Sequence, residues 1–233
     1  MLVSFLYFPK VNAMKFPFVV VVLVACLCSC NIYKIHEKTA LSQAEQAGLI
    51  AILKPEFDAS FVLPGANLSQ YKKIILSNLD FSSVKIIKPS SSHHFQESWE
   101  LTEEDKQFYQ KRFSESAKNY VFDKGELSAA TEPANDTLLL KTKITEIAPL
   151  ASKDDFKSRP TLIDVYSEGF GRMTIVFELY DSTSNKLIAL SSDEHDLGKM
   201  WERNDRAQNN MQVRLAFDYW LKNLNDELAS LMK

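Results

Sequence analysis

All three cysteines of the 233-residue chain lie between positions 26 and 30, at the end of the apolar stretch FPFVVVVLVACLC, residues 16–28. A helix needs roughly 18–20 apolar residues to cross a bilayer, so this stretch is too short to span one. Its length, and the positive Lys10 and Lys15 ahead of it, are typical of a secretory signal peptide. The part that folds is therefore expected after residue 29, with no pair of cysteines from which to form a disulfide.

Two tetrapeptides resemble the bacterial lipoprotein box, in which a branched residue and two small residues precede an acylated cysteine: Leu23-Val24-Ala25-Cys26 and Leu27-Cys28-Ser29-Cys30. We favour Cys30, because cleavage before Cys26 would leave apolar residues at the start of the mature chain. Cys26 is the second choice, and a plain secretory signal is the third. The sequence thus predicts a signal peptide over residues 1–29, with translation starting at Met1 or Met14. Diacylglyceryl and palmitate chains on Cys30 would together make a firm membrane anchor.

Charge and motif content bound the function of the mature chain. Without Lys10 and Lys15, 25 basic side chains remain against 30 acidic ones, a net charge of −5. There is no basic stripe with interleaved aromatic residues, so we expect no nucleic-acid partner. The sequence has no G-x-S-x-G elbow, no phosphate-binding loop and no dinucleotide fingerprint. We therefore expect neither enzymatic activity nor a cofactor.

Hydrophobic periodicity predicts a single α+β domain after the signal peptide. We expect a mixed, mostly antiparallel sheet of about four to five strands with two main helices on one face, in the order β-α-β-β-β-α. Residues 30–70 are expected to form a tether and lead-in, and residues 71–233 the domain. The predicted strands are 71–80, 84–88, 137–147 and a hairpin over 170–193, and the predicted helices are 101–122 and 205–232. The first helix has a predicted capping box at Thr102 and Asp105, and the second has an apolar stripe that begins at Val213.

The sequence offers few candidate site residues. The predicted loop over 148–168 is long for a compact domain, and its Phe156 and Tyr166 are possible contacts for a ligand or partner. Trp201, at a strand–helix junction, is another. The run Asp193-Glu194-His195-Asp196 could supply metal ligands. Adjacent strand residues point to opposite faces, however, so a solvated hairpin end is the preferred interpretation and no metal site is predicted.

Five blocks span most of the mature chain: FVLPGANLSQYKKIIL (61–76), WELTEEDKQFY (99–109), TLLLKTKITEIAPL (137–150), GRMTIVFELYDSTSNKLIA (171–189) and FDYWLKNLNDEL (217–228). Together they resemble a known family, the bacterial lipoproteins grouped as domain of unknown function 3313. The segment FELYDSTSNKLIA is the most specific; in its turn Ser184-Asn185 stands where the family often has Thr-Gly. Asn tolerates the positive φ that this turn needs. The resemblance implies localisation and fold, and it carries no activity, cofactor or catalytic residue.

Three functions are compatible with these features. The leading hypothesis is a non-enzymatic lipoprotein of a Gram-negative outer membrane that faces the periplasm and binds or scaffolds another envelope protein. Asn31 favours placement in the outer membrane, since Asp at that position would favour retention at the inner membrane. The alternative is a carrier or sensor of a small apolar ligand. A hydrolase using Asp193, His195 or Glu178 ranks last, because cross-strand ion pairing explains Glu178 and Arg172 more simply.

Overall fold

The computed structural model describes residues 35–87, 99–150 and 166–233. Cys26, Cys30, the rest of the signal peptide and Phe156 lie outside these ranges. Three α-helices are described, α1 (Ile35–Gln46), α2 (Glu103–Ala117) and α3 (Arg206–Leu231). None of these helices is both long enough and apolar enough to cross a membrane.

Ten strands accompany the helices, and several are only two to four residues long. They are β1 (Ile50–Ala51), β2 (Ala59–Val62), β3 (Lys73–Asp80), β4 (Lys85–Ile86), β5 (Ser128–Ala129), β6 (Thr137–Pro149), β7 (Tyr166–Glu168), β8 (Gly171–Asp181), β9 (Leu187–Asp196) and β10 (Trp201–Arg203). Eight form one sheet in the order β1-β2-β9-β8-β6-β3-β5, with β4 also paired to β6. β7 and β10 form a separate antiparallel ribbon.

The sheet is mixed, as the sequence predicts. β8 pairs antiparallel with both β6 and β9, and β2 extends the antiparallel part beyond β9. β3 runs parallel to β6 and to β5, and β4 is also parallel to β6. The predicted hairpin is confirmed, with Asn185 at φ 54° in its turn.

The main core lies between the sheet and the helix pair α2–α3. The predicted stripe of α3 is buried, and rings from both helices meet there, with the Phe113 and Phe217 centroids 5.9 Å apart. α2 begins with the predicted capping box, in which Thr102 Oγ1 accepts from Asp105 N and Asp105 Oδ2 accepts from Thr102 N. This satisfies two backbone donors that a helix start would otherwise leave unpaired.

The opposite sheet face carries α1. The capping-box spacing of Ser42 and Glu45 predicts a short helix from there through Leu49, whereas α1 spans Ile35–Gln46 and packs on the sheet. Ala40 and Ala44 of α1 are buried against Phe61 of β2 and Leu190 of β9. Residues 35–70, expected as a tether and lead-in, thus contain a helix and two strands of the sheet. The expected count of four to five strands is too low, because edge strands of two to four residues show almost no alternation.

Polar side chains on one face of α3 hold the chain entering β2. Trp220, Asn223 and Glu227 have the spacing i, i+3, i+7, so they point in the same direction. Glu227 accepts hydrogen bonds from Ser60 Oγ at 2.9 Å, Ser191 Oγ at 2.7 Å and Glu56 N at 3.1 Å. Asn223 Nδ2 donates to the Glu56 carbonyl at 3.1 Å. Through these bonds α3 connects β2, β9 and the segment before β2.

We predict that Glu227→Ala lowers the free energy of unfolding by about 3 kcal/mol, because two buried hydroxyls and one partly buried backbone N–H lose a carboxylate acceptor. Urea unfolding monitored by circular dichroism measures the change. The matched control is Asp226→Ala, which removes an exposed ion pair to Lys222 and should leave stability near that of the parent. Equal losses for the two variants would show that Glu227 contributes no more than a surface charge.

Glu227 also predicts a pH dependence. Burial raises its pKa above the usual 4.5, and this outweighs the hydrogen bonds that lower it. The resulting stability is fully present below pH 4.5 and is lost as pH rises through the folded-state pKa. The unfolding free energy of the parent minus that of Glu227→Gln should therefore fall as pH rises above 4.5 and then level off.

A second carboxylate, Asp181, also makes stability depend on pH, but its effect cancels when the variant is subtracted from the parent. The pKa of Asp181 is lowered, chiefly by the hydrogen bond from the Ser184 backbone, so its effect is lost as pH falls below about 3.8 and is common to both proteins. A parent-minus-variant difference that is flat above pH 4.5 would contradict the burial argument for Glu227.

Candidate binding site

A cleft of about 250 Å³ lies between the N-terminal ends of α2 and α3 and one end of the sheet. Its inner surface is apolar, with Ile147 from β6, Phe170 before β8, Leu197 after β9 and Val213 from α3. Trp99 and Tyr109 complete this surface. Burial raises the pKa of the Tyr109 hydroxyl, so that it remains neutral. The cleft thus offers a mostly uncharged interior.

The rim of the cleft is polar, and its ionic groups are paired with one another. Arg206 at the start of α3 forms an ion pair with Glu104 at the start of α2. Asp105 is engaged in the capping box of α2, and Asn209 donates to Asn204 at 3.2 Å. Asn210 and Thr102 also line the rim. These contacts hold the two helix starts in position around the opening.

Two glycines place Phe170 in the cleft wall. Gly169 and Gly171 have φ values of 73° and 127°, which side-chain-bearing residues rarely adopt. A Cβ on Gly169 would lie 2.3 Å from the carbonyl oxygen of Gly198. The chain can therefore pass this closely to residue 198, and turn Phe170 inward, only with glycine on either side.

Beyond these glycines, the β7–β10 ribbon extends from the cleft wall. Glu202 pairs with Ser167 across the ribbon and accepts a hydrogen bond from Gln212 of α3 at 2.9 Å. The ribbon face that carries Glu202 therefore points to α3. Tyr166, Trp201 and Arg203 lie on the other face, since side chains alternate along a strand. Tyr166 is 55% exposed and Trp201 69% exposed. Two of the three aromatic residues predicted as contacts, Tyr166 and Trp201, therefore share one outward surface, and the third, Phe156, lies outside the described residues.

The family model described as "Protein of unknown function (DUF3313)" matches residues 45–224. The chain belongs to the DUF3313 family. This confirms the resemblance drawn from the sequence blocks. No curated protein matches the chain in sequence.

Several solved bacterial structures are similar to this DUF3313 chain. A PelC dodecamer from Paraburkholderia phytofirmans has 11% identity and a TM-score of 0.36, covering 71% of this chain and 96% of that one. A minor lipoprotein from Acinetobacter baumannii has 12% identity and a TM-score of 0.33, covering 69% and 94%. A Xanthomonas campestris protein of family model DUF330 has 9% identity and a TM-score of 0.40, covering 69% and 85%. Similarity at these TM-scores assigns no function to this chain.

The Asp193–Asp196 run is not the solvated hairpin end that the sequence suggested. Asp193 is buried, and its carboxylate accepts from Trp220 Nε1 at 2.8 Å and from Asp58 N at 2.9 Å. His195 stacks on Tyr219 at 4.5 Å, and burial lowers the pKa of its imidazole. Within the described ranges, no group of three or more His, Cys, Asp and Glu side chains is arranged to hold a metal.

The expected cross-strand ion pairs are present. Arg172 pairs with Glu194 at 3.1 Å, and Glu178 pairs with Lys143 on the face that carries α1. Burial raises the pKa of Glu178, but hydrogen bonds from Lys143, Gln43 and Tyr180 outweigh burial and lower it overall. This carboxylate is therefore ionised and stabilised by three donors, which suits a structural ion pair.

The aromatic ribbon residues and a small apolar ligand were both predicted from the sequence, but the residues that line the cleft were not. Leu197, Ile147 and Val213 looked like ordinary core positions, and their apolar pattern does not distinguish a cleft wall from a filled core. The signal that could have helped is the pair of glycines around Phe170, which marks a close backbone approach.

Proposed function

We propose that this protein is a lipid-anchored lipoprotein of the outer membrane that faces the periplasm and acts by binding a small apolar molecule in the cleft. The single observation that carries this proposal is the preformed opening between the starts of α2 and α3, with an apolar interior and a polar rim. Apolar interiors with a few polar groups at the edge are typical of small-molecule sites. An envelope protein as a further partner stays a prediction.

The size of the cleft restricts the ligand. Its 250 Å³ exceeds the roughly 150 Å³ apolar cavity that holds one benzene, and it is below the about 300–1,000 Å³ of drug-sized sites. A single aromatic ring with a short substituent, or a short aliphatic chain, fits this range. The amides of Asn209 and Asn210 at the rim suit a ligand whose outer end is uncharged and polar.

The chemistry of the cleft supports binding rather than catalysis. Its carboxylates, Glu104 and Asp105, are engaged with Arg206 and with the helix start. General acid–base catalysis needs a group whose pKa is near the working pH and which reaches the substrate. The raised pKa of Tyr109 takes that hydroxyl further from this range. The lining therefore supplies shape and apolar contact to a ligand.

The placement in the membrane is supported by the sequence around Cys30. The apolar stretch, the lipoprotein box and Asn31 after the cysteine favour export, acylation and transfer to the outer membrane.

We predict that Cys30→Ser abolishes acylation and leaves the unprocessed precursor, whereas Cys28→Ser and Cys26→Ser remain acylated. Mass spectrometry of the N-terminal peptide measures this. Acyl chains on Cys26, or a bare Cys30 in the processed parent, would contradict the anchor.

For the cleft, we predict that Asn210→Trp weakens binding of short alkylbenzenes or alkylphenols roughly tenfold or more, a loss of about 1.4 kcal/mol, because the new ring occupies the opening. The matched control is Lys222→Trp, the same residue introduced at an exposed position of the same helix. Calorimetric titration compares the three proteins, and native mass spectrometry of the parent tests for a co-purified molecule. Absence of binding to the parent across the series would exclude the proposed ligand class.

A further inference from the structure

The end of the domain that carries the cleft also carries a group of exposed apolar side chains. Leu150, Tyr166, Met200 and Trp201 are 55–71% exposed. Backbone hydrogen bonds hold them close together, from Leu150 N to Phe170 O and from Gly169 N to Met200 O. We call these four residues the apolar tip.

The direction of α1 brings the start of the described chain towards the same end. Gln43 of α1 donates to Glu178 at 2.8 Å. Ile50, just after the helix, pairs with Val62, which is level with Ala189 and Leu179. Thr39, one turn before Gln43, lines a groove together with Glu146, which pairs with Thr174, four positions before Glu178. The helix therefore runs towards the hairpin turn, and its first residue points back to the end where β8 begins.

Chain length then limits where the membrane can be. Ile35 lies about 12 Å before Gln43 along the helix axis, since a helix rises about 1.5 Å per residue. A distance of about 12 Å corresponds to about four strand residues at about 3.3 Å each. Counting back four positions from Glu178, which Gln43 contacts, places Ile35 near the level of Thr174. The five residue steps from Cys30 to Ile35 span at most about 18 Å, enough to reach past Gly171 to the apolar tip. The hairpin end, beginning at Asp181, is at least about 23 Å from that level.

We propose that the apolar tip seats in the interface of the bilayer that holds the lipid anchor. Trp and Tyr favour this region because each has an apolar ring with a polar edge. Met200 and Leu150 would add apolar contact below the headgroups. Lys199 precedes Met200, and Arg203 follows Trp201 after Glu202, whose side chain points to α3. Both cations form ion pairs at 3.5 Å, with Asp196 and Asp205, and their long side chains can still place the charged ends among lipid phosphates. This inference rests on the proposed anchor at Cys30 and adds a fixed orientation to it.

The test uses the full acylated protein, reconstituted into phosphatidylethanolamine and phosphatidylglycerol vesicles with or without acyl-chain-brominated lipid. Bromine quenches tryptophans that enter the bilayer. We expect quenching in the parent protein and its loss in Trp201→Phe, while Trp99 and Trp220, which are buried, supply an unquenched background in every variant.

The matched control moves the probe to the other end of the domain, as Trp201→Phe combined with Lys186→Trp in the exposed hairpin turn. Its fluorescence should remain unquenched. An unquenched parent, or a double variant quenched as strongly as the parent, would overturn the orientation. Mass measurement of the same sample separates the two proposals: a bare Cys30 overturns both, whereas an acylated protein with unquenched Trp201 overturns this one alone.

Discussion

The structure depends on two buried carboxylates on one face of α3: Glu227, which belongs to this helix, and Asp193 of β9, which contacts it. Asp193 accepts the indole N–H of Trp220, and Glu227 accepts from hydroxyl and backbone donors on β2, β9 and the segment before β2. A buried carboxylate is costly unless it is well hydrogen-bonded, so only one arrangement of these elements satisfies both groups. Apolar contacts alone would permit a shift of β2 along β9; these bonds do not.

The attachment of β2 to α3 has consequences on the other face of the sheet. With β2 held beside β9, the two strands present Phe61 and Leu190 to α1, which covers them with Ala40 and Ala44. α1 is too polar in composition to be stable on its own, and it is held by this small apolar cluster and by the bond from Gln43 to Glu178. The position of Ile35, where the described chain begins, follows from this packing.

The cleft and the apolar tip are two consequences of one backbone feature. Gly169 lies against Gly198, which brings the ends of β7 and β10 together and turns Phe170 towards α2 and α3. The same close approach of Gly169 to Gly198 leaves Tyr166 and Trp201 exposed on the outer face of the ribbon. A binding cleft beside a surface that contacts lipid would give an apolar ligand a short route between the bilayer and the protein.

What the sequence determined by itself is local: the capping box at Thr102, the hairpin with its positive-φ Asn185, the buried stripe of α3 and membership of the family. The first three depend on residues within a few positions of one another, where periodicity and turn chemistry are informative. Family membership depends on short sequence blocks along most of the chain, and each block can be identified without knowing how the chain folds. Only the tertiary structure decided the parallel pairing of β3 with β6, the short edge strands, the burial of Asp193 and the cleft. These depend on contacts such as the one from Asp58 to Asp193, which are 135 positions apart, and a local pattern has no information about which distant segment will satisfy a donor or cover a face.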